Sequence, residues 1–387
     1  MEDSGNVDKP KLSRTRNTWL GRFSVWLDRI FSSKTDRSKN LQDFRNAVSY
    51  LNNKYGDKIP DLRTKLTEKL AHYQSNRRGI DGQGGRRRVF TEQDLKKLED
   101  EAKKEKFRKE LLAGIGNTQL RTSAQREYIV QYCENMVANG NKIEYAIEVG
   151  KAMNMLYAEG IESVLPQKPI NIHKIAYNAD GAEMRGAVTD KLRTIMSRHG
   201  ADYRIMESYF EQQKQDSWNP LSLCMKYFYL QQRADPEQIS EQYYLATYSQ
   251  EELGAAFNEW YPSEGDKKKY AKTVSMYQAF TAITLARLSF EDPSPVSQEN
   301  RTITLHRGVN SVNANSRKQG IADSTSLGEV DPKFSRDGMT VLEFTVPFCD
   351  VHALYFMSPE LCDTSGSYAS EREVICDMSN AKIEILT

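Results

Sequence analysis

Two glutamates with one residue between them, Glu371 and Glu373, stand near the end of the chain and directly before an apolar run. A fixed carboxylate stabilises the positive charge that develops on a ribose ring when the bond at its anomeric carbon breaks. Glu373 suits this role, and Glu371 suits the orientation or deprotonation of an incoming acceptor group. Because alternate residues of a strand share one face, both side chains face one cleft if the strand begins early enough.

Two further segments offer partners for such a site. Arg307 ends a β-branched run over residues 302–307 that predicts a strand, and its planar, permanently charged guanidinium suits phosphate groups. Ser324, Thr325 and Ser326 place three hydroxyls in a row. Ser324 could hydrogen-bond a carboxylate or a sugar, while Thr325 and Ser326 brace the start of a strand. Taken singly, the three segments are better explained as a surface arginine, a turn and charges that protect a sheet edge.

In this order and with these flanks, the segments at 305–308, 324–326 and 371–373 resemble the Arg, Ser-Thr-Ser and Glu-x-Glu signature of mono-ADP-ribosyltransferases. The resemblance implies NAD as the donor of ADP-ribose, with Glu373 and Glu371 as catalytic residues and no metal. It implies that the turn at 364–370 selects the target through Tyr368. The residues that it implies for NAD binding are Arg307, Gly308, Ser324, Thr325, Ser326 and Phe344.

The chain departs from the family pattern at one point. Only sixteen residues separate Arg307 from Ser324, where the family usually has a longer excursion. A related class of the family uses His and Tyr in place of Arg and Ser-Thr-Ser, which raises the alternative that His306 lines the cleft. Adjacent strand residues face opposite sides, so a regular strand cannot place both His306 and Arg307 there. The Ser-Thr-Ser run favours Arg307.

Length and composition bound the other possibilities. A chain of 387 residues is long enough for two domains. Its five cysteines are scattered without paired spacing, which argues against a disulfide framework and a zinc site and favours a reducing compartment. No apolar stretch approaches the roughly 18 residues of a spanning helix, and the polar N-terminus lacks the apolar core of a secretory signal.

Charge is distributed unevenly along the chain. Residues 1–120 hold 27 Lys and Arg against 17 Asp and Glu, whereas the remainder is acidic. A basic front part indicates an anionic partner, such as a membrane surface, a nucleic acid or an acidic chaperone. Arginine and glycine at 77–88 could bind RNA, but the segment has no interleaved aromatic residues, so a solvated linker is the favoured interpretation and nucleic acid is disfavoured.

The N-terminal segment contains a predicted amphipathic helix at residues 17–33. Large apolar side chains recur at helical spacing opposite Arg22 and Arg29. An aromatic face with basic flanks is typical of a helix that lies in an anionic membrane surface; a helix docked on its own protein or in a partner's groove is the alternative. The predicted membrane-binding residues are Trp19, Phe23, Trp26, Ile30 and Phe31.

The order of predicted elements indicates an α+β fold, with a helical N-terminal half followed by strands from Ile303 to the end. We expect a flexible segment at 1–40, a helical region at 41–165 with a linker at 77–90, and an ADP-ribosyltransferase-like domain at 166–387, a mixed or antiparallel β-sandwich with a helical layer. Predicted helices cover residues 40–76, 91–114, 122–138, 142–158, 180–198, 203–215, 219–233, 249–259 and 268–290.

The resemblance therefore predicts a mono-ADP-ribosyltransferase that modifies a host protein, with the need for an activating host protein left open. Together with the N-terminal segment, it favours a bacterial effector secreted into the host cell without a cleaved signal peptide, acting in the host cytoplasm or at a host membrane surface. The main rival is a membrane-anchored helical interaction protein with an inactive transferase-like domain. A nucleic-acid-binding protein that uses the basic front part is the second rival.

Overall fold

The structure is a computed structural model that describes residues 106–118, 121–172, 179–213, 220–236, 248–291, 294–310, 322–328, 339–354, 357–358 and 372–386. The chain divides into two compact units, Met1–Glu110 and Leu111–Thr387. The described residues fall almost wholly in the second unit. The boundary between the two units, after Glu110, lies within the helical region predicted at 41–165. The helices from residue 123 onward therefore belong to the same unit as the sheet.

Helices occupy the first part of the second unit. After a helical segment at 106–115, the helices are α1 (Ser123–Ala138), α2 (Ile143–Ala158), α3 (Ala179–Arg198), α4 (Arg204–Gln213), α5 (Pro220–Gln231), α6 (Gln250–Trp260) and α7 (Glu264–Arg287), with a 3₁₀ turn at Ile161–Val164. The predicted helices within the described residues are confirmed to within a few positions at most ends. Among the described residues, no helix has the length and apolar character needed to cross a membrane.

Local sequence sets several helix starts. Thr122 caps α1, since its hydroxyl accepts from Gln125 N at 3.1 Å while the Gln125 side chain accepts from Thr122 N at 3.0 Å. Ser249 and Glu252 form the same reciprocal pair at the start of α6. The long helix α7 begins after Ser263, whose hydroxyl accepts from Asp266 N at 3.0 Å. These caps satisfy backbone donors that the first helical turn leaves without partners.

Helix α7 forms the centre of the helical part. Every residue from Thr273 to Leu285 is buried, the pattern of a helix surrounded by other elements. It packs against α2 on one side and against strand β5 (Val351–Leu354) on another. Helix α7 therefore joins the helical layer to the sheet.

The sheet follows the helices and is antiparallel throughout. Its strands are β1 (Val296–Ser297), β2 (Thr302–Asn310), β3 (Asp323–Ser326), β4 (Met339–Pro347), β5, β6 (Glu373–Cys376) and β7 (Lys382–Leu386). Their order is β5-β6-β3-β2-β4-β7, with β1 paired to β2. The α+β prediction is confirmed by this arrangement of helices followed by a sheet.

The sheet has two parts that meet at one residue pair. Strands β2 and β4 pair along nine residues each, and β3 and β6 pair along four. Between the two parts, β2 and β3 are joined only by His306 opposite Ser326 among the described residues. Since a regular antiparallel pair continues in register on both sides, this single pair marks the point where β2 and β3 diverge.

Candidate functional site

Strand β3 carries the Ser-Thr-Ser run, and its middle residue anchors the strand. The Thr325 side chain is buried, and its hydroxyl donates to the carbonyl oxygen of Val374 at 2.9 Å. The same hydroxyl lies 3.6 Å from Cys376 Sγ. Thr325 thus ties β3 to β6 one residue from Glu373.

Glu373 is the first residue of β6 and lies opposite Ser326 of β3. Directly opposed residues of an antiparallel pair have Cβ atoms about 4.5–5.5 Å apart and side chains on the same face. Ser324 lies opposite Ile375, two residues along and on the same face. The pairing therefore brings Ser326, more closely than Ser324, to the glutamate predicted to be catalytic.

The residue before Glu373 breaks the extended backbone. Arg372 has φ +47°, an uncommon conformation for a residue other than glycine. Its carbonyl oxygen accepts from Leu327 N at 3.0 Å, which fixes the turn against the end of β3. The regular alternation of β6 therefore begins at Glu373.

Gly328 gives the Arg372 side chain room. Gly328 has φ +87°, and a Cβ there would lie 3.1 Å from Arg372 Nη1 and 3.4 Å from Ile172 Cδ1. A side chain at 328 would therefore be strained and would press on the arginine that precedes Glu373. The turn after the Ser-Thr-Ser run therefore leaves room for this guanidinium beside Gly328.

Four polar residues form a row across four neighbouring strands. His306 of β2 lies opposite Ser326 on one side and opposite Glu343 of β4 on the other, and Ser326 lies opposite Glu373. Since paired residues share a face, the order across the sheet is carboxylate, imidazole, hydroxyl and carboxylate. We call Glu343, His306, Ser326 and Glu373 the polar row.

The imidazole in the polar row is held from one side. His306 Nε2 lies 3.2 Å from Glu343 Oε2, and the two side chains are 19% and 30% exposed. His306 Nδ1 is buried and has no hydrogen-bond partner among the described residues. Sequence reasoning considered His306 and preferred Arg307, but it missed Glu343. The signal for Glu343 was its charge in an otherwise uncharged strand.

Arg307 takes the alternate position on β2, opposite Leu342. The neighbours on its own face, Leu305 and Val309, are both buried, whereas Arg307 is half-buried. Regular alternation therefore brings His306, and not Arg307, to the face that carries Ser326 and Glu373. Arg307 stands beside the point where β2 and β3 diverge, one residue from the row.

The two other residues proposed to bind NAD are placed differently. Gly308 shares the face of His306 and lies opposite Val341 of β4, half-buried. Phe344 is fully buried, with Leu305 and Ile383 opposite it on the adjoining strands. This placement is that of a core side chain.

Strand β5, on the far side of β6, is fixed by Gln278 of α7. The Gln278 amide nitrogen donates to Tyr132 Oη at 2.7 Å and to the Val351 carbonyl at 2.9 Å. Its carbonyl oxygen accepts from Tyr229 Oη at 3.2 Å and from His352 Nδ1 at 2.9 Å. Nδ1 therefore carries a proton, and burial lowers the pKa of His352 well below its usual range, which favours the neutral ring.

A buried charge cluster fixes the far end of β6. Arg233, after α5, bonds Asp377 and lies 3.9 Å from Asp350 Oδ1. Asn139 Nδ2 and Asn380 Nδ2 donate to Asp350 Oδ2 at 3.0 and 3.2 Å. Burial raises the pKa of Asp350 to about 6, against the opposing effect of Arg233. This cluster therefore holds the C-terminal end of β6 against the helical part of the unit.

Several predicted site residues lie outside the described residues. These are Glu371, Tyr368 and the membrane-binding set Trp19, Phe23, Trp26, Ile30 and Phe31. The proposed linker at 77–90 lies outside them as well. Within the described part of the chain, His, Cys, Asp and Glu side chains form no group of three or more suited to a metal ion.

The described residues present a carboxylate at a strand start, a hydroxyl opposite it, and an imidazole–carboxylate pair one strand further on. Comparison of the chain with protein-family models, curated proteins and solved structures gives no match. A functional assignment therefore depends on the chain's own residues and their arrangement.

Proposed function

We propose that the protein is a mono-ADP-ribosyltransferase that transfers ADP-ribose from NAD to a protein side chain. One observation carries the proposal: the three separate segments of the signature occupy three adjoining strands, with Ser326 opposite Glu373 and His306–Arg307 on the next strand. A chance set of motifs has no reason to meet in this way. The sheet in two parts also suits the two-layered β fold that the family resemblance implies.

Glu373 has the position that the chemistry requires. It is half-buried, so water screens its charge less than it screens a fully exposed carboxylate. A carboxylate held there would stabilise positive charge developing at the ribose when the bond to nicotinamide breaks. The Ser326 hydroxyl lies opposite and can hold the carboxylate in one orientation. The acceptor's nucleophile then bonds the ribose carbon and gives up its proton.

The side chains around Glu373 fit the polar parts of NAD. Ser324 and Ser326 offer hydroxyls on the face of Glu373, which suits the hydroxyls of a ribose. Arg372 precedes Glu373 in the chain, and Arg307 lies next to His306 on the other face of β2; planar cations of this kind bind phosphate oxygens in pairs. When bound, NAD supplies the ADP-ribose; the protein supplies orientation and a fixed negative charge.

The test uses the full chain, tagged NAD and a eukaryotic cell lysate, which supplies both acceptors and any activating protein. We expect labelling of a discrete acceptor and release of nicotinamide. Glu373→Gln should remove both, whereas Glu384→Gln, an exposed glutamate of β7, should leave both unchanged. Absence of labelling and of nicotinamide release with the folded wild-type chain would refute the proposal and favour an inactive transferase-like domain. The acceptor protein and delivery into a host cell stay predictions.

A further inference from the structure

We propose that His306 is a positioning residue that acts on Glu373 through the hydroxyl of Ser326, with Glu343 holding the imidazole in place. The inference rests on the proposed function for its catalytic consequence, and on the polar row for its geometry. In the row, each residue lies directly opposite the next on adjoining strands. His306 therefore lies between Glu343, which it contacts, and Ser326, which lies opposite Glu373.

The contact with Glu343 assigns one ring nitrogen. Nε2 lies 3.2 Å from the Glu343 carboxylate, and a carboxylate oxygen accepts hydrogen bonds. Nε2 therefore carries a proton. The other nitrogen, Nδ1, is buried without a partner among the described residues, and a buried polar atom without a partner costs free energy. By register, the nearest side-chain hydroxyl on the same face is that of Ser326, which can rotate to meet it.

Donors and acceptors match along the row only when the imidazole is protonated. His306 then donates from Nε2 to Glu343 and from Nδ1 to Ser326 Oγ, and the Ser326 hydroxyl donates to Glu373. With a neutral ring, Nδ1 is an acceptor and competes with Glu373 for the Ser326 proton. Protonation of His306 would therefore hold the Glu373 carboxylate in one orientation, and loss of the proton would release it.

Other charged groups also act on this imidazole. Glu343 on β4 and Glu373 on β6 place carboxylates on its face of the sheet. Beyond β4, strand β7 adds Glu384 opposite Glu343 and Lys382 opposite Thr345. Arg307 is next in the chain, and Arg372 precedes Glu373. The other charged residues are unchanged in variants of Glu373 and Ser326, so the effect of each variant on His306 can be attributed to the substituted residue.

The first measurement does not depend on enzymatic activity. The full chain is labelled with ¹³C at histidine Cε1, and the His306 signal is identified by its loss in His306→Asn. We expect Glu373→Gln to lower the midpoint of the His306 titration by on the order of 0.3–0.6 pH unit, the effect of a unit charge two strand spacings away. Ser326→Ala should also lower it, while Thr304→Val, on the same face of β2, should not. Unchanged midpoints in both test variants would overturn the proposal.

The second measurement separates the two nitrogens by kinetics. Asparagine places its amide near the position of Nδ1, whereas glutamine places its amide near that of Nε2. His306→Asn should keep most of the turnover and lose the ionisation from the pH profile. His306→Gln should lower kcat about tenfold, the rate equivalent of one hydrogen bond, with the KM for NAD unchanged.

The outcomes distinguish this proposal from the proposed function. Equal losses in both His306 variants, or a better result with glutamine, would make the Glu343 contact structural and overturn the positioning role. A wild-type chain that turns over no NAD refutes the transferase, while the titration still decides whether His306 is coupled to Ser326 and Glu373.

Discussion

Ser326 and Glu373 lie directly opposite each other on antiparallel strands, although 46 residues lie between them in the chain. Both are anchored by their neighbours, since Thr325 bonds the Val374 carbonyl at 2.9 Å and Leu327 N bonds the Arg372 carbonyl at 3.0 Å. One hydrogen bond thus flanks the pair on each side. The backbone at Glu373 is therefore fixed by its pairing with β3.

Glu373→Gln should abolish both ADP-ribosyl transfer and NAD hydrolysis, because both pass through the same positive centre. Loss of a positioned charge of this kind typically lowers the rate by on the order of 10²–10³. Glutamine keeps the size and one acceptor oxygen, so the fold should be preserved, which circular dichroism and thermal unfolding can verify. Activity within about tenfold of wild type would remove Glu373 from the catalytic role.

Arg307→Lys should raise the KM for NAD while kcat changes little, since lysine keeps the charge but loses the planar fork that pairs with phosphate. The assignment needs this test because Arg307 occupies the face of β2 where Leu305 and Val309 are buried. The KM is measured for NAD hydrolysis, so that no acceptor is involved. An unchanged KM would mean that the phosphates are held by another cation, and Arg372→Lys is then the next variant to measure.

Helix positions could be predicted from the sequence because their signals are local. The apolar period of 3.6 residues and caps such as Thr122 lie within the segments themselves. The face of β2 that meets Ser326 could not be predicted, because it depends on the pairing of His306 with a strand that is remote in sequence. Nor does the sequence show that Arg372 adopts φ +47°.

Buried polar residues were the other part that sequence reasoning could not find. Gln278 is 1% exposed and Arg233 is 2% exposed, although both residue types are mostly found on surfaces. Their burial depends on partners from several elements, such as Tyr132, Val351 and Asp377. No short window of sequence contains such a set, so these residues could be identified only from the tertiary structure.

Thr325→Val should destabilise the second unit by about 1 kcal/mol, because the buried hydroxyl that bonds the Val374 carbonyl is replaced by a methyl group of similar size. Thr325→Ser is the matched control for this hydrogen bond, since it keeps the hydroxyl and loses only the methyl. The free energy of unfolding by urea gives the comparison. If valine proved as stable as threonine, the hydrogen bond would not contribute to holding β3 on β6.

Gly150→Ala should destabilise the protein by roughly 1–3 kcal/mol through overpacking. A Cβ at Gly150 would lie 2.7 Å from Ile115 side-chain carbons and 2.9 Å from Cys133 Sγ, so the buried contact of α2 with its neighbours has no room for a methyl group. Gly186→Ala provides the contrast, because a Cβ there meets nothing within 4 Å. In the exposed middle of α3, that change should stabilise by about 0.5–1 kcal/mol. Thermal unfolding should shift in opposite directions for the two variants.

Asp350 should give the stability of the protein a distinctive pH dependence. Burial raises the pKa of its carboxyl from 3.8 to about 6, so between these values the folded state binds more protons than the unfolded state. Stability from this group is therefore fully present below the unfolded pKa and is lost as the pH rises through the folded one.

Asp350→Asn has no such ionisation and keeps an acceptor oxygen for the donors of Asn139 and Asn380. The free energy of unfolding of wild type relative to this variant should fall by about 2–3 kcal/mol from pH 4 to pH 7. A difference that stays constant, or that grows over this range, would show that Arg233 keeps Asp350 ionised throughout.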